Sequence, residues 1–228
     1  MSKPNFYIIG APKCGTTSLA AWLAGHPQIY MSPRKEPHFF NTDHSYVLTP
    51  SLREYERLFS AAGPEHVAVG EGSVWYLYSE QAVANILEYA PDARFVVCLR
   101  NPVEMAPSLY EQQVFSGNEH VESFEEAWRL QEQRLAGKLV TRWCREPRYL
   151  AYGHVCSLGS QLEKLYDKVE RAHLLPLVLD DIKEDPRTEY LKVLDLLGVR
   201  DDGRSRFPVH NLAKERRSPL VRKAVMAV

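Results

Sequence analysis

The sequence predicts a three-layer α/β fold, in which a central parallel sheet is flanked by helices on both faces. Short apolar runs rich in β-formers alternate along the chain with helical patterns, and this alternation is typical of parallel sheets. The clearest run, residues 95–99, is apolar at every position, as expected for a central strand that is buried on both faces. With 45% hydrophobic and 25% charged residues, the chain of 228 residues can bury the core that such a fold requires.

The predicted elements alternate along the chain as strands and helices. Strands are predicted at residues 6–9, 67–70, 95–99 and 174–179. Helices are predicted near Leu19 to Leu23, from Ser51 to Phe59, over 82–89, from Pro102, over 123–135, over 154–166 and over 190–197, where Gly198 ends the last one. Because ligands of parallel sheets bind at the carboxyl ends of the strands, we expect the chemistry in the loops after Ile9 and Leu99.

The charge and the organisation of the chain limit its partners. We find no repeat, linker or low-complexity segment and expect one domain over residues 1–228. A net charge of -1, from 28 basic and 29 acidic residues, does not favour a nucleic acid or an anionic membrane as partner. No apolar run approaches the roughly 18 residues of a membrane span, and no secretory segment precedes the first strand. The oligomeric state is left open.

The four cysteines indicate a reducing compartment. They are Cys14, Cys98, Cys144 and Cys156, which lie far apart and include no C-x-x-C pair. This spacing is typical of reduced thiols and not of a disulfide framework or a zinc site. We therefore expect a cytoplasmic protein, and no metal is expected.

The loop after the first strand has the composition of an anion site. It reads Gly10-Ala11-Pro12-Lys13-Cys14-Gly15-Thr16-Thr17-Ser18 and leads into a helix. The backbone N–H groups at a helix N-terminus bind anions, and small residues allow a phosphate to approach closely. Lys13 adds a positive charge, and the hydroxyl groups of Thr16, Thr17 and Ser18 add donors.

This P-loop-like segment differs from the nucleoside-triphosphate pattern G-x-x-x-x-G-K-[ST]. Gly10 and Gly15 have the required separation and Thr17 matches the Ser/Thr position, but Thr16 stands where the lysine belongs. The lysine occurs three residues earlier, as Lys13. A kinase with this loop would lack the lysine that reaches the β- and γ-phosphates. The loop instead suits a single 5′-phosphate with another group attached to it.

A second candidate anion site follows the central strand. Arg100 stands at the carboxyl tip of this strand, and Ser108 lies about two turns into the helix that begins at Pro102. An arginine fork together with a hydroxyl group suits a phosphate monoester.

Both segments resemble the sulfotransferases that use 3′-phosphoadenosine 5′-phosphosulfate (PAPS). Residues 12–19 are similar to the family's 5′-phosphosulfate loop, P-K-x-G-T-[ST]-x-L, and residues 99–108 to its 3′-phosphate pattern, L-R-[ND]-P…S. The resemblance implies PAPS as donor, adenosine 3′,5′-bisphosphate as product and in-line transfer of a sulfonyl group to a hydroxyl of a small-molecule or carbohydrate-like acceptor. It implies donor-binding roles for Lys13, Cys14, Gly15, Thr16, Thr17, Ser18, Arg100 and Ser108.

The transfer requires a base for the acceptor hydroxyl and a positive charge for the leaving phosphate. Lys13 is the candidate for the second role. For the first, Glu36 and His38 lie in the segment Arg34-Lys35-Glu36-Pro37-His38-Phe39-Phe40. Glu36 matches the glutamate before a His-Phe-Phe run that serves as base in carbohydrate-type members. A free glutamate titrates near roughly 4.3 and a histidine near roughly 6.5, so His38 needs less adjustment and stays an alternative. A solvated charge cluster is the non-catalytic interpretation.

Two segments depart from the family pattern. Residues 71–76 resemble E-K-[ST]-x-x-Y, but Gly72 stands at the lysine position, which puts a mechanism with two lysines in doubt. Ser73, Trp75 and Tyr76 in this segment are candidates either for the acceptor pocket or for the core. Near the end of the chain, a basic segment over residues 207–217 resembles the loop that closes over the nucleotide, or is a solvated surface. The chain ends soon after Leu220, so a missing C-terminal tail is an open alternative.

Two other functions fit parts of this pattern. A P-loop kinase of a small molecule would bind ATP with magnesium, and the displaced lysine argues against it. A nucleotide-binding module without catalytic activity would bind the bisphosphate without transferring anything, and Gly72 keeps this alternative open.

Overall fold

A computed structural model describes residues 3–210 of the chain. Its strands are β1 (Phe6–Gly10), β2 (Ile29–Met31), β3 (Ala68–Gly72), β4 (Arg94–Leu99) and β5 (Leu174–Val178). Its helices are α1 (Thr16–Ala24), α2 (Leu52–Arg57), α3 (Ala82–Tyr89), α4 (Pro102–Phe115), α5 (Phe124–Arg129), α6 (Gln131–Leu135), α7 (Tyr152–Val155), α8 (Leu158–Tyr166), α9 (Leu179–Glu184) and α10 (Pro186–Leu197). Short 3-10 turns occupy Pro147–Leu150 and Arg171–His173.

The five strands form one parallel sheet in the order β2-β3-β1-β4-β5. Strand β1 is therefore central, with β3 on one side and β4 on the other. The chain leaves β1 towards β2 at one edge, and leaves β4 towards β5 at the other edge. Loops that diverge in this way open a crevice at the carboxyl ends of the strands, where α/β proteins bind ligands. The fold class predicted from the sequence is confirmed.

The core explains the rigidity of this sheet. Every residue of β1 is buried, and so are the four inner residues of β4. On one face, Tyr7 stacks on Phe95 with ring centroids 5.9 Å apart and meets Phe40 edge to face. Burial of one large apolar side chain contributes about 1.5–3 kcal/mol, so these strands hold the loops that follow them in fixed positions.

Several local sequence signals have the predicted effect. Ser51 caps α2 by accepting a hydrogen bond from the backbone N–H of Glu54. Pro102 begins α4, where the side chain of Asn101 accepts from the N–H of Val103. Gly198 ends α10 in the left-handed conformation, with φ of 68°.

Other elements differ from the prediction. Strand β2 was not predicted, because three residues are too few for a period-2 pattern to appear. The strand expected to reach Leu179 ends at Val178, and Leu179 is instead the first residue of α9. The helices expected over 123–135 and 154–166 are each divided in two, and α2 ends at Arg57 before Phe59. Boundaries of this kind depend on tertiary packing more than on local propensity.

Candidate active site

The segment that follows β2 brings a candidate base to the carboxyl ends of the strands. The segment after β2 continues alongside β3, because Ser32 donates its backbone N–H to the carbonyl of Gly70 at 2.8 Å and Glu36 donates to Gly72 at 3.0 Å. This pairing brings Glu36 beside the end of β3, which is the direct neighbour of β1. The candidate base and the phosphate loop therefore lie at the same end of the sheet, where the strands have their carboxyl ends.

The phosphate loop presents an uncapped helix N-terminus. Gly15 precedes α1 in the left-handed conformation, with φ of 86°, and no side chain caps this helix. A helix N-terminus without a side-chain cap is a typical binding position for an anion. A Cβ atom at Gly15 would lie 2.9 Å from Leu179, and one at Gly10 would lie 2.7 Å from the carbonyl oxygen of Val74. Side chains at either position would collide with these neighbours, so the close packing of the loop against the residues after β3 and β5 requires glycine at both positions.

Lys13 and Arg100, which follow β1 and β4, are in contact. The Lys13 ammonium Nζ is 3.5 Å from Oε1 of Gln112 on α4, and Arg100 donates from Nη1 to the carbonyl oxygen of Lys13 at 3.4 Å. Ser108 is half-buried and precedes Gln112 by four residues, so both lie on the same face of α4. The structure thus brings Arg100 into contact with Lys13 and places the Lys13 side chain against the face of α4 that carries Ser108.

A carboxylate contacts Arg100. Glu104 accepts hydrogen bonds through Oε2 from Nε and Nη2 of Arg100, at 3.3 and 3.1 Å. Its side chain is 48% exposed, so this ion pair is weak, on the order of 0–1 kcal/mol. A phosphate that binds Arg100 competes with Glu104 for the guanidinium group.

The side chains within the phosphate loop differ in their surroundings. The hydroxyl of Ser18 accepts the N–H of His210 at 2.9 Å and donates to its carbonyl at 3.3 Å. Thr16 is buried and Thr17 half-buried. Burial raises the pKa of the Cys14 thiol to about 12, although the guanidinium of Arg100 acts to lower it. Cys14 is therefore a neutral thiol, and its contribution to anion binding is limited to its backbone.

The segment that ends the described chain packs on α1. Trp22 donates its indole N–H to the carbonyl of Pro208 at 2.9 Å and packs edge to face on Phe207. Together with the contact at Ser18, this places residues 207–210 along α1 towards its N-terminus. The rest of the predicted basic loop, residues 211–217, lies outside the described residues.

The two candidate bases form a pair. The His38 ring nitrogen Nε2 is 3.2 Å from Oε2 of Glu36, and the Lys35 ammonium contacts the other oxygen of Glu36. Burial acts to raise the pKa of Glu36, but the hydrogen bond from His38 and the charge of Lys35 outweigh it and lower the pKa to about 2. The side chain of His38 is 1% exposed, and its Nδ1 has no hydrogen-bond partner within residues 3–210.

Backbone strain is concentrated at the candidate residues. Within residues 3–210, the non-glycine residues with positive φ are Lys13 at 65°, Glu36 at 62°, His38 at 49° and Leu139 at 52°. Three of these four were identified from the sequence, Lys13 as the positive charge for the leaving phosphate and Glu36 and His38 as candidate bases. Strained conformations of this kind persist when the surrounding structure enforces them, and they are concentrated at functional sites.

The sequence did not identify Glu71 as a site residue, although it begins the segment that resembles E-K-[ST]-x-x-Y. Glu71 is fully buried near the end of β3, and its Oε2 accepts the hydroxyl of Ser73 at 2.8 Å. Burial raises its pKa to about 7, although the hydroxyl groups around it act to lower the pKa. The signal available in the sequence was a carboxyl residue in an otherwise buried strand.

The other residues of this segment belong to the core. Ser73 and Tyr76 are fully buried, and Trp75 stacks on Tyr149 with ring centroids 3.5 Å apart. These contacts favour the core alternative over an acceptor pocket. At Gly72, a Cβ atom would meet only an ordinary contact with Ile8 at 3.6 Å, so crowding of the backbone does not explain the absence of the family's lysine.

A cleft of about 370 Å³ lies between the residues that follow β3 and helix α8. Across it, the Lys164 ammonium is 2.6 Å from a carboxylate oxygen of Glu80. Its lining contains none of the candidate residues, so we assign it no part in the site.

Comparisons with known proteins agree with the resemblance seen in the sequence. Residues 3–218 match the family model described as sulfotransferase domain. Human heparan sulfate glucosamine 3-O-sulfotransferase 3B1 is 31% identical over 197 residues, which cover 86% of this chain and 46% of that protein. The membrane-associated sulfotransferase kil1 of Dictyostelium discoideum is 30% identical over 107 residues, or 47% of this chain and 22% of that protein. The chain thus spans less than half the length of these curated relatives.

Solved structures share the fold. The crystal structure of a sulfotransferase from Alicyclobacillus acidocaldarius superposes with a TM-score of 0.79 at 29% identity, covering 100% of this chain and 91% of that one. Mouse sulfotransferase SULT7A1, solved in complex with PAP, superposes with a TM-score of 0.56 at 13% identity, covering 89% of this chain and 61% of that one. The second likeness concerns the fold alone.

Proposed function

The chain belongs to the sulfotransferase domain family, and on this premise we propose that it transfers a sulfonyl group from PAPS to a hydroxyl of a carbohydrate-like or other small acceptor. PAPS is the donor that this family uses. The observation that best supports the proposal is the bond between Arg100 and the carbonyl of Lys13, at 3.4 Å. It joins the two segments whose sequences match the 5′ and the 3′ anion sites of the family.

The donor site in this proposal follows from the charges of Lys13 and Arg100. The uncapped N-terminus of α1 and Lys13 hold the 5′ end, and Arg100 and Ser108 hold the 3′-phosphate. Bound there, PAPS would supply the activated sulfonyl group and the phosphate leaving group. Lys13 offsets the negative charge that develops on this phosphate, and a positive charge fixed in advance does so without reorganisation. In the same proposal, Cys14, Thr16, Thr17 and Ser18 complete the loop.

Glu36 accepts the proton of the acceptor hydroxyl, and His38 orients it. With its pKa held at about 2, Glu36 is ionised at neutral pH and therefore able to accept a proton. A carboxylate with so low a pKa is a weak base, so its effect comes from position more than from basicity. His38, 3.2 Å away, fixes the orientation of the carboxylate through its Nε2.

The curated relatives support a carbohydrate-like acceptor, since one of them is named as a heparan sulfate glucosamine 3-O-sulfotransferase. The surroundings of the base agree with this choice. The ring of Tyr46 lies 5.5 Å from that of His38, and the exposed guanidinium of Arg145 stacks over Tyr46 at 4.9 Å. Aromatic faces and exposed cations suit sugar rings that bear acidic groups.

The test has two parts. Calorimetric titration with adenosine 3′,5′-bisphosphate, and separately with ATP and magnesium, distinguishes this donor from that of a kinase. A panel of hydroxylated acceptors, supplied with sulfur-labelled PAPS, then tests transfer. We expect binding of the bisphosphate and labelling of at least one saccharide. Binding without any labelling would indicate a nucleotide-binding module without catalytic activity.

Two further proposals concern the whole chain. We propose that residues 1–228 form one sulfotransferase domain, which the match over residues 3–218 supports. We also propose a cytoplasmic location, supported by the four cysteines, none of which forms a disulfide. No helix within residues 3–210 is both long and apolar enough to cross a bilayer.

A further inference from the structure

Glu71 is a buried carboxyl group to which the proposed mechanism gives no role. It is fully buried, and it precedes Gly72, whose carbonyl accepts the N–H of Glu36 at 3.0 Å. Within residues 3–210, the groups that hydrogen-bond to its carboxylate are hydroxyls and not cations. Burying a carboxylate without a cation beside it costs free energy. Its position next to the turn of residues 36–40, which carries Glu36 and His38, therefore suggests that it has a function there.

Glu71 sets the direction of the hydrogen bond between Ser73 and His38. Ser73 donates its hydroxyl to Oε2 of Glu71 at 2.8 Å and accepts the backbone N–H of His38 at 3.2 Å. A hydroxyl group has a single proton. When Glu71 is ionised, its carboxylate takes that proton, and the oxygen of Ser73 then faces the backbone N–H of His38 only as an acceptor.

Tyr76 repeats this arrangement. Its hydroxyl oxygen accepts the N–H of Phe39 at 3.0 Å and that of Phe40 at 3.3 Å, and the hydroxyl also interacts with Glu71. Three consecutive N–H groups, those of residues 38–40, are thus held by two hydroxyls that both face one carboxyl group.

The turn held in this way is strained. Glu36 and His38 adopt φ values of 62° and 49°, a left-handed conformation that residues with side chains rarely adopt. Without its hydrogen bonds to Ser73 and Tyr76, the turn would relax towards ordinary backbone conformations. The 3.2 Å contact between Glu36 and His38 depends on this strained conformation.

We infer that Glu71 is a positioning residue for sulfonyl transfer, which holds the turn of residues 36–40 through Ser73 and Tyr76 and so keeps Glu36 and His38 paired. This inference rests on the proposed function, because it gives Glu71 a part in the same reaction. It deepens that function by assigning a role to a residue that contacts neither donor nor acceptor.

The test compares Glu71→Gln and Ser73→Ala with Tyr55→Phe as a matched control. The hydroxyl of Tyr55 reaches Oε1 of Glu71 at 3.5 Å but holds no N–H group of the turn. We expect Glu71→Gln and Ser73→Ala each to lower kcat by about tenfold or more at pH 8, with KM for PAPS changed by less than about threefold. Tyr55→Phe should keep kcat within about twofold of the wild type.

A second readout does not depend on activity. In the protein with 15N-labelled histidine, Glu71→Gln and Ser73→Ala should shift the ring resonances of His38, and Tyr55→Phe should not. Ser73→Ala decides the question where Glu71→Gln does not fold. Unchanged kcat and unchanged His38 resonances would overturn the inference, and so would equal losses in all three variants, which indicate general destabilisation. If the wild type transfers no sulfonyl group at all, the proposed function fails, while the His38 resonances still decide the positioning role.

Discussion

Arg100 donates a hydrogen bond from Nη1 to the backbone carbonyl oxygen of Lys13 across 3.4 Å. The two residues follow different strands, Lys13 after β1 and Arg100 at the end of β4, and these strands are paired in the sheet. The bond therefore connects the proposed 5′ site with the proposed 3′ site. One nucleotide that binds at both ends would engage both residues at the same time.

Replacing Lys13 tests the charge at the leaving phosphate. We expect Lys13→Ala to lower kcat by about 10²–10³-fold, because the side chain offsets charge that develops mainly in the transition state. Single-turnover assays with labelled PAPS measure this step. The matched variant Lys13→Arg keeps the charge and should retain more activity than Lys13→Ala. Full turnover in Lys13→Ala would remove this residue from the mechanism.

Replacing Glu36 tests the base. Glu36→Gln keeps the shape of the side chain but removes its ability to accept a proton, so we expect kcat to fall by about 10²-fold or more. The Kd for adenosine 3′,5′-bisphosphate should change by less than about twofold, since Glu36 belongs to the acceptor side. Turnover close to that of the wild type would move the role of base to His38 or to another group.

Lys35 provides the control for Glu36. Its ammonium group helps to lower the pKa of Glu36 to about 2, so Lys35→Gln should raise this pKa and leave a stronger base. We expect kcat in Lys35→Gln to be at least as high as in the wild type. A loss as large as that of Glu36→Gln would mean that the ion pair itself, and not proton transfer, is required.

Glu104 should limit the affinity for the nucleotide. Its carboxylate oxygen Oε2 lies 3.1 Å from Nη2 of Arg100. Glu104→Gln removes this negative charge, which competes with the phosphate for the guanidinium group. An exposed ion pair is worth about 0.2–1 kcal/mol, so we expect the Kd for the bisphosphate to fall by a factor of up to about five at low salt. Calorimetry at two salt concentrations measures the effect. A weaker affinity in Glu104→Gln would show that Glu104 supports Arg100 instead of competing with the ligand.

The stability of the protein should depend on pH through Glu71. Its folded-state pKa of about 7 lies above the value of 4.5 that applies when it is exposed. The stability linked to the protonated carboxyl group is therefore fully present below pH 4.5 and is lost as pH rises through 7. Because glutamine does not titrate, we expect the Tm of Glu71→Gln relative to the wild type to rise by about 6–12 °C between pH 4.5 and pH 8. A constant difference over this range would contradict burial as the cause.

The sequence predicted those parts of the molecule that short-range chemistry determines. The run of residues 95–99 is apolar on both faces, and this pattern identified β4 as a central strand, whereas the central position of β1 was not predicted. The anion loop was recognisable for the same reason, because Gly15 and Lys13 have the residue types that a tight phosphate turn needs. The family match over residues 3–218 confirms the resemblance seen in these segments.

Long-range contacts could not be predicted in this way. Ser18 bonds to His210, which is 192 positions away, and no local pattern reports such a contact. The pairing of Glu36 with His38 depends on left-handed backbone conformations at residues that bear side chains, which propensities do not anticipate. The role inferred for Glu71 depends on three N–H groups and two hydroxyls that only the folded chain brings together.

The central claim is that Lys13 binds the 5′-phosphate and Arg100 the 3′-phosphate of one doubly phosphorylated adenosine. Isothermal titration of adenosine 3′,5′-bisphosphate into the wild type, Lys13→Ala and Arg100→Ala tests it most directly. We predict one site in the wild type and an affinity about 10–100-fold lower in Arg100→Ala, because a hydrogen-bonded charge contributes about 1.5–3 kcal/mol. Lys13→Ala should weaken the same site. No measurable binding to the wild type, or an affinity that neither substitution changes, would contradict the claim.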